Sequence, residues 1–384
     1  MLNMTEPIKP LNPSFSSGPT AKFKGWSLSE LNNSLIGRSH RSSDGKLKLK
    51  KCIEETKKLL KLPDDFLLGI LPGSNTGAFE IALWNSLGIK DIDVLVWDSF
   101  GNDWANDISK QLKLPNVNII KEEYGSLPDL NKVNFQNDVV FTWNGTTSGV
   151  CLPNADWIPY NREGLTICDA TSAVFAYEID WTKIDILTFS WQKALGGEGA
   201  HGMLVLSPNA VKRINNYEPK WPMPKLFNLK KDGKLNLQIF NGLTINTPSL
   251  LLVEDWLSII KWAVSNGGMD FLKQKTQENY EVFKKFCSEN MWIDFLAENE
   301  IYRSKTSVCL KIIDPWFCSL EKNEQEKRME NFISYFEENN VAFDIKSYRT
   351  APLGLRIWCG PTVEKLDLEY LTKWLQFGWE SIYK

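Results

Sequence analysis

The sequence predicts an α/β fold in which helices sandwich a mostly parallel sheet and a smaller α+β domain follows. From Phe66 to Leu206, short apolar runs alternate with segments of helical spacing, which is the pattern of βαβ units. Beyond Gly267, charged helical segments alternate with isolated short strands instead. The length of 384 residues also exceeds the usual size of a single hydrophobic core, so we expect one large and one smaller domain.

Changes of character along the chain divide it into three segments. Residues 1–45 are rich in Ser, Asn, Pro and Gly without sustained periodicity, and we assign them to an N-terminal arm. Helical spacing starts at Lys46, so residues 46–266 form the predicted large domain. The glycine pair Gly267-Gly268 marks the boundary to a predicted C-terminal domain, residues 267–384.

Apolar spacing and capping residues place the individual elements. Predicted helices of the large domain are Lys46–Leu62, Ala78–Leu87, Asp103–Leu114 and Leu250–Val264, the last with Thr247 as N-cap and Pro248 at its first position. Predicted strands are Ile92–Trp97, Val117–Lys121, Val139–Thr142, Leu165–Cys168, Ile184–Ser190 and Met203–Leu206. In the smaller domain we predict helices over Asp270–Asn290, over Lys322–Asn339 and from about Val363, and strands over Ser307–Ile313, Val341–Ile345 and Leu355–Trp358.

The charge balance and the scarcity of histidine exclude several classes of function. Lys and Arg number 44 against 47 Asp and Glu, so no global positive field would attract nucleic acid or an anionic membrane. No stretch approaches 18 uninterrupted apolar residues, and we expect no membrane span. His40 and His201 are the only histidines, which excludes a multi-histidine metal site, and we predict no bound metal.

The seven cysteines are scattered and never form a C-x-x-C pair. This distribution is typical of buried thiols in a reducing compartment and not of a disulfide framework or a zinc ribbon. Residues Met1–Pro10 also contain no apolar core of a signal peptide. We therefore expect a cytoplasmic protein.

Two polar residues at the ends of successive strands carry the strongest chemical signal. Asp169 follows the predicted strand Leu165–Cys168, and Lys193 follows Ile184–Ser190 and precedes the pair Gly196-Gly197. The carboxyl ends of parallel strands meet at one sheet edge, so both side chains are expected to face one crevice. A lysine there can hold an aldehyde as a Schiff base, and a neighbouring carboxylate suits a pyridinium nitrogen. The pair therefore fits pyridoxal phosphate.

A phosphate cradle and a ring platform would complete such a site. The segment Leu71–Gly77, with sequence LPGSNTG, combines glycines with the start of a helix, which suits an anion, although alone it is more often an ordinary helix start. Trp104 or Phe100 could stack on the cofactor ring, and Asn144–Thr147 offers hydroxyl groups at the same edge. Arg356 lies between Leu355 and Ile357 in a predicted strand, where burial is costly unless the guanidinium meets an anion.

Six short motifs extend this pattern in order over nearly the whole chain: Ser16-Ser-Gly-Pro19, Ser39-His-Arg41, Asp169-Ala-Thr-Ser172, Ser190-Trp-Gln-Lys193, Asn246-Thr-Pro248 and Gly354-Leu-Arg356. Together they resemble the phosphoserine aminotransferase family, whose members are fold-type I enzymes that use pyridoxal 5′-phosphate. The resemblance implies Lys193 as the Schiff-base lysine and Asp169 as the partner of the pyridinium nitrogen. The further cofactor contacts that it implies are Trp104 on the ring, Thr146 at the phenolic side, Thr171, Gln192 and the backbone of Asn75 and Thr76 at the phosphate, and Asn246 and Thr247 from the other subunit of a homodimer.

The same resemblance implies the substrates, both of them small molecules. His40, Arg41 and Arg349 would hold a substrate phosphate, and Arg356 would hold the α-carboxylate. The implied reaction is a ping-pong transamination between L-glutamate and 3-phosphohydroxypyruvate, which gives 2-oxoglutarate and O-phospho-L-serine for serine biosynthesis, with vitamin B6 biosynthesis as a possible second use. Two departures indicate a divergent branch: the family often has an arginine in the loop Gly73–Gly77, and often a histidine where this chain has Tyr348.

Three alternatives share part of this pattern. Another class V enzyme, such as an alanine–glyoxylate aminotransferase, has the same Asp–Lys core, but the pair His40-Arg41 and Arg349 argue against it. A cysteine desulfurase requires a mobile catalytic cysteine, and no cysteine here lies in a Gly- or Ser-rich loop. A non-catalytic module that binds pyridoxal phosphate would leave Lys193 unmodified. The sequence assigns no role to His201.

Overall fold

The computed structural model describes residues 5–382. Its helices are α1 (Ser43–Leu59), α2 (Ser74–Ser86), α3 (Ser99–Asn106), α4 (Pro208–Asn216), α5 (Leu250–Ser265), α6 (Gly268–Glu289), α7 (Pro315–Ser319), α8 (Lys322–Glu338) and α9 (Lys365–Ile382). Its strands are β1 (Leu67–Pro72), β2 (Ile92–Val96), β3 (Val117–Lys121), β4 (Asp138–Thr142), β5 (Asn144–Gly145), β6 (Val150–Cys151), β7 (Thr166–Asp169), β8 (Ile186–Ser190), β9 (His201–Leu206), β10 (Lys230–Lys231), β11 (Lys234–Leu235), β12 (Ile293–Phe295), β13 (Ser307–Ile312) and β14 (Gly354–Trp358).

Within the described chain, seven strands form the large sheet in the order β1-β9-β8-β7-β4-β2-β3. Only β9 runs against its neighbours, and the other pairings are parallel. In the register of this sheet, Asp169 lies beside Thr142 of β4 and Thr188 of β8. The carboxyl ends of β4, β7 and β8 therefore meet at one edge, as the βαβ pattern predicts.

Residues of the central strands are buried on both sides of the sheet. In β2, Val94 and Val96 pack into one apolar cluster, whereas Leu95 packs into the cluster on the other face. Side chains of a strand alternate between faces, so a strand covered on both sides reads as a continuous apolar run. This explains why the sequence identifies these strands by apolar runs and not by polar alternation.

The C-terminal part contains a second, antiparallel sheet in the order β12-β13-β14. Its core is rich in tryptophan: Trp292 stacks on Trp379 of α9 with ring centroids 4.4 Å apart. The apolar cluster on one face of the large sheet continues without interruption into this second sheet. No helix among residues 5–382 is long and apolar enough to cross a membrane.

Three details differ from the sequence predictions. Helix α1 begins at Ser43, inside the predicted N-terminal arm, because Ser42 caps it by accepting the Gly45 N–H at 3.1 Å. The predicted strand Val341–Ile345 is wrong, because this segment makes only a single bridge, from Phe343 to Ser14. The structure also adds α4, α7, β12 and the two-residue strands β5, β6, β10 and β11, which the apolar spacing did not reveal. The division at residues 45 and 266 stays a prediction.

The predicted start of α5 is also wrong. Neither Thr247 nor Pro248 begins the helix, which starts at Leu250 with Ser249 as its cap. The Ser249 hydroxyl accepts the Leu252 N–H, while the Ser249 N–H donates to His201 Nε2 at 3.1 Å. This bond to His201 of β9 fixes Ser249, whose backbone is extended, and the helix forms only after it.

Candidate active site

Asp169 ends β7 at the sheet edge, and its carboxylate is buried. Its Oδ1 accepts hydrogen bonds from Thr171 N at 3.0 Å and Thr171 Oγ1 at 2.6 Å, and its Oδ2 accepts one from Trp104 Nε1 at 3.1 Å. Burial raises the pKa of Asp169, while these donors and the nearby Lys193 ammonium act in the opposite direction. The structure thus places two predicted cofactor contacts, Thr171 and Trp104, directly on Asp169.

Lys193 follows β8 by three residues and extends towards the same edge. Its Nζ donates to the main-chain carbonyl of Ser17, in the N-terminal arm. Burial and the Arg356 guanidinium lower the pKa of Lys193 to about 8, although the carboxylates of Asp169 and Asp98 favour its charged form. Because the neutral amine is the nucleophile, this environment favours attack on a carbonyl carbon near neutral pH.

Gly18 leaves the space that the Lys193 side chain occupies. A Cβ at this position would lie 2.5 Å from Lys193 Nζ, and the Gly18 φ of +141° is one that other residues rarely adopt. The arm segment therefore determines where the amine lies, although it contributes no side chain to the reaction.

The variant Gly18→Ala should displace the Lys193 amine and lower kcat by about a hundredfold, since a shift of about 1 Å in a reacting group has that cost. Steady-state kinetics with saturating substrates measures the loss. Gly25→Ala is the matched control, because Gly25 also has positive φ, at +92°, but no atom lies within 4 Å of the added Cβ. Equal losses in the two variants would contradict this role of Gly18.

The phosphate cradle is formed by the turn between β1 and α2. Gly73 has φ +79°, and a Cβ on Gly77 would lie 2.2 Å from the Pro72 carbonyl oxygen, so the turn requires glycine at both positions. Asn75 and Thr76 lie in the first turn of α2, whose N–H groups lack intrahelical acceptors. Within the described chain, the buried Oδ1 of Asn75 and Oε1 of Gln192 also lack hydrogen-bond partners.

The predicted Thr146 lies in a network of hydroxyl groups beside Asp169. Its Oγ1 donates to Ser172 Oγ at 2.7 Å, and its carbonyl accepts a hydrogen bond from Ser307 Oγ of β13 at 2.7 Å. Ser172 follows Thr171, the residue that donates to Asp169. The loop with Thr146 is therefore fixed both to the segment after β7 and to the second sheet.

Arg356, on β14, is a half-buried cation with an unpaired end. Its Nε is buried without a hydrogen-bond partner among residues 5–382, and burial lowers the pKa of the guanidinium. The ring centroid of Tyr348 lies 5.5 Å from its guanidinium carbon. The nearby Asp344 carboxylate forms no ion pair with it in the described chain, so this desolvated guanidinium close to Lys193 is suited to bind an anion.

The remaining predicted site residues lie on the surface of this single chain. Arg41, Arg349, Asn246 and Thr247 are exposed, and His40 is half-buried. Arg349 lines a cavity of about 280 Å³ together with Asp98 and Tyr348. No hydrogen bond or ion pair within residues 5–382 joins His40, Arg41, Asn246 or Thr247 to Asp169 or Lys193.

His201, which the sequence left without a role, supports the segment that carries Asn246 and Thr247. Its ring is buried against Trp191, with centroids 4.5 Å apart, and its Nε2 accepts the Ser249 N–H. The preceding carbonyl, of Ala200, accepts the Ser74 N–H of the phosphate cradle at 3.1 Å. Burial lowers the pKa of His201 to about 4, so the ring is neutral near pH 7 and can act as an acceptor.

Acidification should therefore destabilise the protein through His201. The unfolded chain protonates this histidine near pH 6.5 and the folded chain only near pH 4, so the stabilisation present above pH 6.5 is lost as the pH falls towards 4. Between pH 7 and pH 4, the free energy of unfolding of the wild type should fall by about 3 kcal/mol more than that of His201→Gln. The glutamine retains a hydrogen-bond acceptor but does not titrate. Urea unfolding at several pH values measures this difference. Parallel pH curves for the two proteins would contradict it.

Solved structures that superpose on this chain include aminotransferases. A phosphoserine aminotransferase from Cytophaga hutchinsonii superposes with a TM-score of 0.79 at 19% identity, covering 95% of this chain and 98% of that one. A pyridoxamine–pyruvate aminotransferase from Mesorhizobium loti gives a TM-score of 0.81 at 16% identity, covering 100% and 95% of the two chains. The fold is that of the fold-type I pyridoxal-phosphate transferases, which confirms the predicted fold class.

Sequence relatives narrow this class. No family model matches the chain. Phosphoserine aminotransferases of Methanosarcina mazei and Methanosarcina barkeri are each 56% identical to it over 373 residues, which cover 97% of this chain and 98% of theirs. The chain belongs to the phosphoserine aminotransferase family, as its six motifs predict.

The residues present fit pyridoxal phosphate. The turn between β1 and α2 has glycine at positions 73 and 77, and the first-turn N–H groups and the dipole of α2 favour an anion there. At the other end, Asp169 is a buried carboxylate fixed by three donors. A nucleophilic amine, a carboxylate for a ring nitrogen and an anion cradle are the three groups that this cofactor requires.

Sequence reasoning assigned no role to two residues of this edge, Asp98 and Ser17, although Ser17 lies in the motif Ser16-Ser-Gly-Pro19. Asp98 follows β2 at the carboxyl edge of the sheet, so the strand-end signal that identified Asp169 also applied to it. Ser17 acts through its main-chain carbonyl, which leaves no signal of residue type in the sequence.

Proposed function

We propose that this protein is a pyridoxal-phosphate-dependent phosphoserine aminotransferase that interconverts 3-phosphohydroxypyruvate and L-glutamate with O-phospho-L-serine and 2-oxoglutarate. One observation carries the proposal. A lysine with a lowered pKa lies beside a buried aspartate at one sheet edge, with an unpaired arginine in the same crevice. The identity of 56% with the two Methanosarcina enzymes supports this choice among the aminotransferases of the same fold.

The cofactor would be held by residues from four segments: Lys193 and Gln192 after β8, Asp169 and Thr171 after β7, Trp104 with Thr146 around the ring, and Asn75 with Thr76 at the phosphate. When bound, pyridoxal phosphate supplies an aldehyde that condenses with an amine and a ring that accepts an electron pair from the substrate. The Asp169 carboxylate would hold the proton on the ring nitrogen. Lys193 Nζ would remove the proton from the substrate Cα and deliver it to the carbonyl-derived carbon of the cofactor, acting as general base and then as general acid.

Arg356 orients the substrate in this scheme. Its unpaired, half-buried guanidinium would bind the α-carboxylate with two parallel hydrogen bonds, which directs the Cα–H bond towards Lys193. His40, Arg41 and Arg349 would bind the phosphate of the second substrate. A site with several cations placed for a phosphate rejects substrates that lack it, because those cations would remain unmatched.

We further propose a homodimer in which Asn246 and Thr247 reach the cofactor phosphate of the partner subunit. Both side chains are exposed in the single chain. Large apolar side chains on nearby elements are also exposed, among them Leu47 of α1 at 65%, Leu237 at 54% and Leu251 of α5 at 38%. A second copy of the chain would cover them. Light scattering should give twice the chain mass.

The seven free cysteines support the cytoplasm as compartment.

A substrate panel tests the reaction. With glutamate as donor, 3-phosphohydroxypyruvate should be transaminated with a kcat/KM at least about 10³-fold above those of pyruvate and glyoxylate, because only the phosphate can neutralise the proposed cations. Preference for glyoxylate would overturn the proposal in favour of an alanine–glyoxylate-type enzyme. Cofactor binding without any turnover would indicate a non-catalytic module. A phosphorylated hydroxy-amino acid of vitamin B6 synthesis, added as a further amino donor, tests the second use.

A further inference from the structure

Asp98 is a buried carboxyl between two parts of the cofactor site. It follows β2, is 4% exposed, and caps α3: its Oδ1 accepts the Gly101 N–H at 2.8 Å. Helix α3 carries Trp104, whose Nε1 donates to Asp169 Oδ2. The cap therefore fixes the start of the helix that places an aromatic ring beside Asp169.

The other carboxyl oxygen of Asp98 faces the loop that carries Thr146. Its Oδ2 lies 3.4 Å from Thr147 Oγ1 and 3.5 Å from Thr147 N. The Thr147 hydroxyl in turn accepts the Ser99 N–H at 3.0 Å. The Asp98 side chain and the Thr147 hydroxyl thus join the first turn of α3 to the loop between β5 and β6.

From this geometry we propose that Asp98 is a positioning residue for cofactor binding: it joins α3, and with it Trp104, to the loop that holds Thr146. This inference rests on the proposed function only through the identity of the cofactor. Trp104 and Thr146 belong to separate elements, so their spacing depends on a connection between those elements. Asp98, at the start of α3, and Thr147, in the loop between β5 and β6, supply that connection.

We expect Asp98 to act through its hydrogen bonds more than through its charge. Three ionisable groups face its carboxyl. They are Asp169, Lys193 and Cys309, from three different elements. Burial and the Asp169 carboxylate raise the pKa of Asp98 to about 7, although the donors Gly101 and Thr147 oppose this. A carboxyl that titrates near neutral pH spends much of its time uncharged. Asparagine should therefore replace it, because its amide oxygen caps a helix equally well and its NH₂ group can donate to the Thr147 hydroxyl oxygen.

The test compares Asp98→Ala with Asp98→Asn. Alanine removes the cap and should weaken the binding of pyridoxal phosphate to the cofactor-free protein about tenfold, while asparagine should stay within about twofold of the wild type. Ser207→Ala, which removes the cap of α4 far from the site, is the matched control and should leave cofactor affinity unchanged.

Hydrogen exchange on the cofactor-free protein gives a second readout, one that also separates this proposal from the proposed function. Asp98→Ala should accelerate exchange in residues 99–106 and 144–149 together, and Asp98→Asn should restore protection in both segments. The double variant Asp98→Ala with Thr147→Val should bind the cofactor no more weakly than the worse single variant, because both changes break one connection. Wild-type affinity and exchange in Asp98→Ala, or a defect in Asp98→Asn as large as in Asp98→Ala, would overturn the proposal. Failure of phosphohydroxypyruvate turnover alone would leave these readouts intact and would count only against the proposed reaction.

Discussion

Replacing Lys193 by alanine is expected to abolish transamination, with kcat reduced by at least about 10⁴-fold. Two functions are lost together: the amine that attaches the cofactor, and the group that moves the proton from the substrate Cα. The Lys193 ammonium also interacts favourably with the Asp169 carboxylate, and alanine removes this charge as well. Measurement of kcat with saturating glutamate and oxo acid gives the size of the effect.

The variant Lys193→Arg separates charge from chemistry. Arginine restores a cation beside Asp169, but its guanidinium stays protonated and cannot act as nucleophile or general base. It should therefore be as inactive as the alanine variant. Borohydride reduction of the wild-type holoenzyme should attach the cofactor to the peptide that contains Lys193, as mass spectrometry can detect. Activity above a tenth of the wild type in either variant would exclude Lys193 as the catalytic residue.

The variant Asp169→Asn should lower kcat by about 10²- to 10³-fold, because a preorganised charge beside the developing carbanion is replaced by a neutral amide. The volume of the side chain is conserved, and the oxygen of the amide can still accept the two hydrogen bonds from Thr171. Its NH₂ group would then face the Trp104 Nε1–H, so two donors meet where donor and acceptor met before. The KM for the oxo acid should change little, because Arg356 lies on a different element.

Thr171→Val is the matched control for this prediction. It removes one of the three hydrogen bonds to Asp169 but retains the carboxylate, and the expected loss of kcat is about tenfold, the value of one hydrogen bond to a charged group. Equal kcat values for Asp169→Asn and Thr171→Val would contradict the role of the charge. An unchanged kcat in Asp169→Asn would exclude Asp169 as partner of the ring nitrogen.

The parts of the site that could be predicted from sequence lie where strands end. Asp169 and Lys193 each follow an apolar strand, and the parallel register places both strand ends at one edge. This inference needs only the apolar runs and a rule about parallel sheets. The prediction that Thr247 caps α5 is wrong because it used only the local pattern. A hydrogen bond from Ser249 to His201, 48 residues earlier in the chain, makes the helix begin at Leu250 instead.

The sequence by itself determined the α/β class, the family and the strand-end residues, because apolar periodicity and short motifs are properties of neighbouring residues. Only the tertiary structure decided which groups surround Lys193. Its amine meets the carbonyl of Ser17, 176 residues away, and Asp98 joins α3 to a loop 49 residues further along the chain. Such contacts depend on how distant elements pack, and a main-chain carbonyl or a helix cap has no residue pattern that points to its distant partner.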